Sequence, residues 1–179
     1  MKQKSIKALN RLDVESYRAL LKNPIVLVLD NVRSALNVGS AFRTADGFAL
    51  EGIALCGITA QPPHREITKT AIGATESVAW SYHKTTEAAL VKLREEGFRL
   101  YAVEQTDRSI SLEKFKLDPT EKIGLVLGNE VKGVSPAALK HCDGAIEVPQ
   151  FGTKHSFNVS VCTGIVCWEL IRQLSAQRG

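Results

Sequence analysis

The sequence predicts an α/β protein built on a parallel sheet, and three observations carry that expectation. Short apolar runs such as Ile25 to Leu29 and Ile123 to Leu127 have the length and unbroken hydrophobicity of strands buried on both faces. Segments with helical apolar spacing separate such runs, so that strand and helix alternate from Ile25 to Leu127, as in a parallel sheet with right-handed crossovers. The last two runs stop in polar, glycine-bearing loops, and open α/β sheets collect ligands beyond the carboxyl ends of their strands. With 179 residues, 44% of them hydrophobic, the chain can bury a proper core, and one domain is expected.

Taken in order, Asp13 to Lys22 reads as a helix started by Asp13, with Tyr17, Leu20 and Leu21 on the face that packs on the domain. Asn23-Pro24 ends it, and Ile25 to Leu29 is the first strand. After a polar loop from Asp30 to Leu36, Asn37 to Asp46 begins a helix whose Val38, Phe42 and Ala45 face the sheet, while Gly39 permits close approach of whatever lies above it. Gly52 to Ile58 is the second strand. Pro62 to Ala74 reads as a turn, a short helix and a small-residue bend, where His64, Arg65 and Lys69 either touch a phosphate backbone or belong to an ordinary exposed loop. Val78 to Tyr82 is a brief strand. Glu87 to Glu96 is a helix with Ala88, Leu90, Val91 and Leu93 inward, closed by Gly97, and Phe98 to Val103 is the strand after it. Asp107 to Lys116 is irregular, anchored by Leu112 and Phe115. Ala145 to Val148 is a short strand before Pro149, and Ser156 to Gln173 is the last helix. Its Val159, Val161, Cys162, Ile165, Val166, Trp168 and Leu170 cover more than one face, which calls for burial on two sides.

The net charge of +4 is unevenly placed. Residues 1–24 hold Lys2, Lys4, Lys7, Arg11, Arg18 and Lys22 against Asp13 and Glu15, whereas residues 25–179 balance 17 basic with 17 acidic side chains. A short basic helical extension thus precedes the domain. It reads either as an RNA-binding arm or as a solvated amphipathic helix. Cys56, Cys142, Cys162 and Cys167 show no metal-ligand spacing, so no metal is expected, and a reduced core role suits three of them. No stretch approaches the roughly 18 apolar residues of a membrane span. The basic N-terminus lacks the apolar core of a secretory signal, and a cytoplasmic location is expected.

Chemistry concentrates in three places. In Asn37-x-Gly39-x-x-x-Arg43, Gly39 and Arg43 share a helical face with Asn37 at or before the first turn, although spacing alone suits an N-cap asparagine and a surface arginine better. Leu127-Gly128-Asn129-Glu130-x-x-Gly133 reads equally as a polar turn, and Ser156-x-Asn158 as a helix cap. Taken in series, with Val148-Pro149 ahead of Ser156-x-Asn158-Val159-Ser160, they resemble the three motifs of the SpoU (TrmH-like) family in the SPOUT superfamily, RNA ribose 2′-O-methyltransferases. The resemblance covers roughly residues 25 to 175.

The resemblance implies a parallel-sheet α/β knot, with a trefoil knot at the C-terminal end, and S-adenosylmethionine as cofactor. It implies cofactor contacts from Leu127, Gly128, Asn129, Ile146, Pro149, Ser156 and Asn158. It assigns activation of the ribose hydroxyl to Arg43, with Asn37, Glu130, Ser156 and Asn158 completing the catalytic set. A guanidinium, with a pKa above about 12, is a poor base, so an electrostatic clamp on the nascent alkoxide or the adjacent phosphate is the chemically sounder role. The family's habit of sharing sites implies a homodimer with Arg43 beside the partner's cofactor pocket. The short N-terminal extension favours tRNA over rRNA as substrate. Phe157 stands where leucine is commoner and Gln150 where methionine is often found, and His155 has no counterpart in the pattern. A non-catalytic RNA-binding protein of the same fold is the competing class; retention of Asn37, Arg43, Glu130 and Asn158 argues against it. A generic nucleotide-binding protein lacks support, since there is neither a GxxxxGK[ST] loop nor a GxGxxG turn.

Overall fold

The computed structural model describes residues 1–5, 8 and 11–178; Lys7, counted above among the basic residues, lies outside them. In chain order the elements are α1 (Val14–Ala19), β1 (Asn23–Asp30), α2 (Ala35–Gly47), β2 (Leu50–Cys56), α3 (Arg65–Ala71), α4 (Ala74–Ser77) and β3 (Trp80–His83). There follow α5 (Thr86–Glu95), β4 (Phe98–Val103), β5 (Ile110–Ser111), β6 (Lys122–Leu127), α6 (Pro136–Leu139), β7 (Gly144–Glu147) and α7 (Val159–Arg178). The seven strands form one sheet in the order β3-β2-β1-β6-β4-β7-β5, and every pairing is parallel. Alternation along β1 divides the core. Ile25, Leu27 and Leu29 join Phe42 of α2 and Leu170 of α7 on one face, while Val26 and Val28 join Leu90 and Leu93 of α5 on the other. Both faces are thus covered, as an all-parallel sheet requires.

The expected strands all form, with boundaries displaced by no more than two residues, but β5 lies in the segment read as irregular, α2 starts at Ala35 rather than Asn37, and three further helices differ from expectation. In α1, Asp13 accepts the Ser16 N–H as its N-cap and Tyr17 is buried, donating its hydroxyl to the Ala45 carbonyl at 3.3 Å. Leu20 and Leu21, however, are exposed, because the helix ends at Ala19 and Leu20 turns extended. In α5 the buried stripe is Thr86, Ala89, Leu90 and Leu93; Ala88 and Val91 point outward. The register is set by Thr86, whose hydroxyl donates to the buried Asp30. Helix α7 starts at Val159 rather than Ser156, and Val161 and Trp168 stand open to solvent, so within one chain it is buried on one side only. The segment read as irregular is pinned by Gln173 of α7, whose side chain accepts the Leu117 N–H at 2.9 Å and donates to the Phe115 carbonyl at 3.0 Å.

Asp30, at the carboxyl end of β1, is a structural hub. It is 1% exposed, and its carboxylate accepts from the Thr86 hydroxyl at 2.5 Å, the Asn31 amide at 2.8 Å and the Ser135 N–H at 2.7 Å. A buried carboxylate is tolerated because those donors satisfy it. All four cysteines are free, and burial pushes the Cys56 and Cys167 thiols up to about 12, which keeps them inert.

What lies above Gly39 is α3. A Cβ built there would stand 2.0 Å from the Thr70 hydroxyl and 2.5 Å from the Ile67 carbonyl, so glycine is what lets the two helices touch. Gly39→Ala should therefore lower the urea unfolding midpoint by the equivalent of about 1–3 kcal/mol. Gly47→Ala on the same helix, where the added methyl meets nothing within 4 Å, should not lower it and, by reducing the freedom of the unfolded chain, should raise it slightly.

Candidate active site

Beyond the carboxyl ends of β4, β6 and β7 the chain encloses a cleft of about 730 Å³. One wall is the loop from Leu127 to Val134, the other is formed by Ile146 to Val148, Gln150 and Ser156 to Val159, and the ends of Val103 to Asp107 close the back. The first wall is shaped by its own backbone. Asn129 and Gly133 exchange N–H to carbonyl bonds at 3.0 and 2.9 Å, folding the loop over. A Cβ at Gly128 would meet the Gly133 carbonyl carbon at 2.1 Å, so the glycine is required by this fold-over itself and not only by the approach of a ligand. The Asn129 side chain is spent on structure: it accepts the Val131 and Lys132 N–H groups and donates to the Asn31 carbonyl at 2.8 Å.

Glu130 then ties this loop to α2. Its carboxylate accepts the Arg33 N–H at 2.8 Å, the Ser34 N–H at 2.9 Å and the Asn37 side-chain amide at 2.9 Å. These donors lie at the start of a helix, where N–H groups lack intrahelical partners and negative charge is favoured. Ser34 is the N-cap, so Asn37 sits within the first turn and its side chain is free to work outward. Its oxygen accepts from the Asn158 amide at 3.2 Å, and Asn158 in turn accepts the Ser160 N–H at 2.8 Å, capping α7 in the place expected of Ser156. Partial desolvation works to raise the Glu130 pKa, but the Arg33, Asn37 and Ser34 donors outweigh it, and the carboxyl rests below its ordinary value. It is therefore a fixed anion and a poor general base.

Most of the residues expected at the site converge here. Leu127, Gly128, Asn129, Glu130, Ile146, Ser156 and Asn158 line the cleft, and Asn37 reaches its rim through Glu130 and Asn158. Pro149 does not: it lines an adjoining groove with Phe151, Ile165 and Trp168. Arg43 also lies outside the cleft of its own chain, exposed on α2 with no hydrogen bond or ion pair among the described residues. Glu104, Gln105 and Glu147 line the cleft without having been singled out by any motif. Their signal was only their position after an apolar run. Among the described residues no group of His, Cys, Asp and Glu could hold a metal ion, and no helix is long and apolar enough to cross a membrane.

The depressed Glu130 pKa fixes a pH dependence. The stability it contributes is fully present above its ordinary value of 4.5 and is lost as pH falls through the lowered folded-state value. Glu130→Gln should cost about 1 kcal/mol at neutral pH, a figure kept small by its exposure to water. Paired unfolding curves should converge as the pH drops below 4.5; a constant gap would mean that the carboxylate charge is not what matters.

The same stretch of chain is matched by known proteins. A model of the SpoU rRNA Methylase family matches residues 24–168. An uncharacterized tRNA/rRNA methyltransferase of Synechocystis sp. is 32% identical over 160 residues, which is 87% of this chain and 40% of that protein. The 23S rRNA (guanosine-2'-O-)-methyltransferase RlmB of Neisseria meningitidis is 30% identical over 154 residues, 86% of this chain and 60% of its own length. The chain thus spans 40% to 60% of these two curated relatives. Among solved structures, the A. aeolicus TrmH/SpoU tRNA modifying enzyme superposes with a TM-score of 0.80 at 25% identity, covering 92% of this chain and 84% of that one. The AdoMet-bound rRNA methyltransferase of Sinorhizobium meliloti gives 0.78 at 26% identity, covering 88% and 60%. Since the match runs from the first strand into the last helix and takes in both loops that wall the cleft, this chain belongs to the SpoU rRNA methylase family.

Proposed function

We propose that this protein transfers a methyl group from S-adenosylmethionine to a ribose 2′-hydroxyl of RNA. The observation that carries the reading is a cleft walled by backbone and rimmed by the Asn37–Glu130–Asn158 network, on the very helix that presents Arg43. The cleft has the size of a small-molecule site, and its walls offer backbone amides and carbonyls able to read an adenine edge. Leu127, Gly128 and Ile146 would hold the base, with Asn129 shaping the wall behind it and Ser156 and Asn158 at the rim. When bound, S-adenosylmethionine supplies an electrophilic methyl on a sulfonium sulfur, so neither a metal nor a protein nucleophile is needed. Arg43 remains protonated and stabilises charge growing on the ribose oxygen, or clamps the neighbouring phosphate. Asn37 and Glu130 hold the start of α2 and thereby aim Arg43.

Arg43 is exposed on α2 and does not line the cleft of its own chain, which supports a homodimer with Arg43 beside the partner's cleft. Leu36 of α2 and Val161 and Trp168 of α7 are exposed apolar residues on the same two packed helices, with Trp168 against Phe48 at 6.4 Å between rings. Packing of α7 on α2, with Gln173 gripping residues 115–117, supports the trefoil knot that the family resemblance implies. We take residues 1–24 as an extension of the domain 25–179; Lys2, Lys4 and Arg11 are exposed there, while Arg18 is engaged with the Glu76 carbonyl. We favour tRNA as substrate, as for the A. aeolicus neighbour, and rRNA is the second reading because the RlmB relatives are named for it.

Labelled methyl groups from S-adenosylmethionine should enter total tRNA or rRNA from a strain lacking this protein and yield alkali-resistant linkages. No incorporation into either pool would contradict the reading. Arg43→Ala should reduce turnover by at least about 100-fold while leaving cofactor affinity within about twofold; a fully active variant would remove Arg43 from the chemistry.

A further inference from the structure

The two walls of the cleft belong to loops with little regular structure, yet two consecutive residues at the end of β4 hold both. Glu104 serves the first wall. Its Oε2 accepts the Val134 N–H at 3.0 Å and its Oε1 accepts the Gln105 N–H at 2.9 Å. Gly133 leaves no slack there, since a Cβ would stand 2.3 Å from the same Oε2 and the residue has a φ of +68°. Gln105 serves the second wall: its side-chain amide donates to the His155 carbonyl at 2.8 Å. Among the described residues this is the one hydrogen bond tying residues 150–157 to the rest of the chain, and residues 151–157 are exposed throughout. The Glu104 N–H donates to the Ile146 carbonyl at 3.1 Å, which fixes the pair to β7 as well.

We propose that Glu104 and Gln105 are the positioning residues of the cleft, setting the gap between its walls to receive the methyl donor; the inference rests on the function proposed above. A backbone N–H held by a carboxylate is roughly twice as strong as a neutral hydrogen bond, which suits the wall that must stay fixed. The single neutral bond from Gln105 leaves residues 150–157, between the strand and helix parts of the second wall, able to open and to close over a ligand. Pre-organisation of this kind lowers the ordering cost of binding and shows in affinity more than in the chemical step.

Affinity for S-adenosylmethionine is first measured by calorimetry on the unaltered protein, then on Gln105→Ala and Glu104→Gln. Gln105 is exposed, so its variant should keep the wild-type unfolding midpoint while binding about tenfold more weakly, the equivalent of one hydrogen bond. Its KM for the donor should rise in step with kcat unchanged. Glu104→Gln turns an amide N–H₂ toward the Val134 or Gln105 N–H and should bind more weakly still; if it fails to fold, Gln105→Ala decides alone. Affinities within about twofold of wild type, or a loss confined to kcat, would overturn the inference. Absence of donor binding by the unaltered protein would instead overturn the function, and the inference with it.

Discussion

The Glu130 carboxylate, seated on the first turn of α2, is the interaction on which the site depends. It accepts from Arg33, Ser34 and Asn37, and those three donors come from a segment more than ninety residues earlier in the chain. Without it, the loop after β6 and the start of α2 would each present unpaired polar groups to the other. With it, Asn37 is turned toward Asn158, and three stretches distant in sequence become one rim. Asp30 does the same work one layer below, joining the ends of β1, α5 and α6 through Thr86 and Ser135. The sheet therefore ends in a framework of satisfied carboxylates rather than in free loops.

That framework explains what could and could not be read from the sequence. Strands β1 and β6 were legible because burial on both faces leaves an unbroken apolar run, β4 because Phe98, Leu100 and Ala102 alternate inward, and the inward face of α2 because Val38, Phe42 and Ala45 keep helical spacing. The face of α5 was misjudged because Ala88 and Val91 are as apolar as Ala89 and Leu90, whereas the deciding residue is a threonine buried for the sake of Asp30. Asp30 itself looked like the start of a loop. Its partners lie 56 and 105 positions away, and no local pattern reports such a distance. Glu104 and Gln105 were invisible for the same reason.

Gly128 shows a different kind of limit. A glycine beside a ligand loop suggests close approach by the ligand, but here the nearest obstacle is the protein's own Gly133–Val134 backbone. The fold-over of the loop requires this glycine whatever the cleft holds. Arg43 marks the reverse case: motif and helix face were both legible, yet the guanidinium stands outside the cleft that it is expected to serve. The two helices beside it carry exposed apolar side chains, Leu36, Val161 and Trp168, the feature on which the proposed homodimer rests.

The most direct test of the cleft as the seat of methyl-donor binding is a titration of ¹⁵N-labelled protein with S-adenosylmethionine, followed through its backbone amide resonances. Shifts concentrated at residues 127–134, 146–148 and 156–159, where the two walls face one another, are expected. Shifts confined to another surface, or none at saturating donor, would contradict the assignment of this cleft.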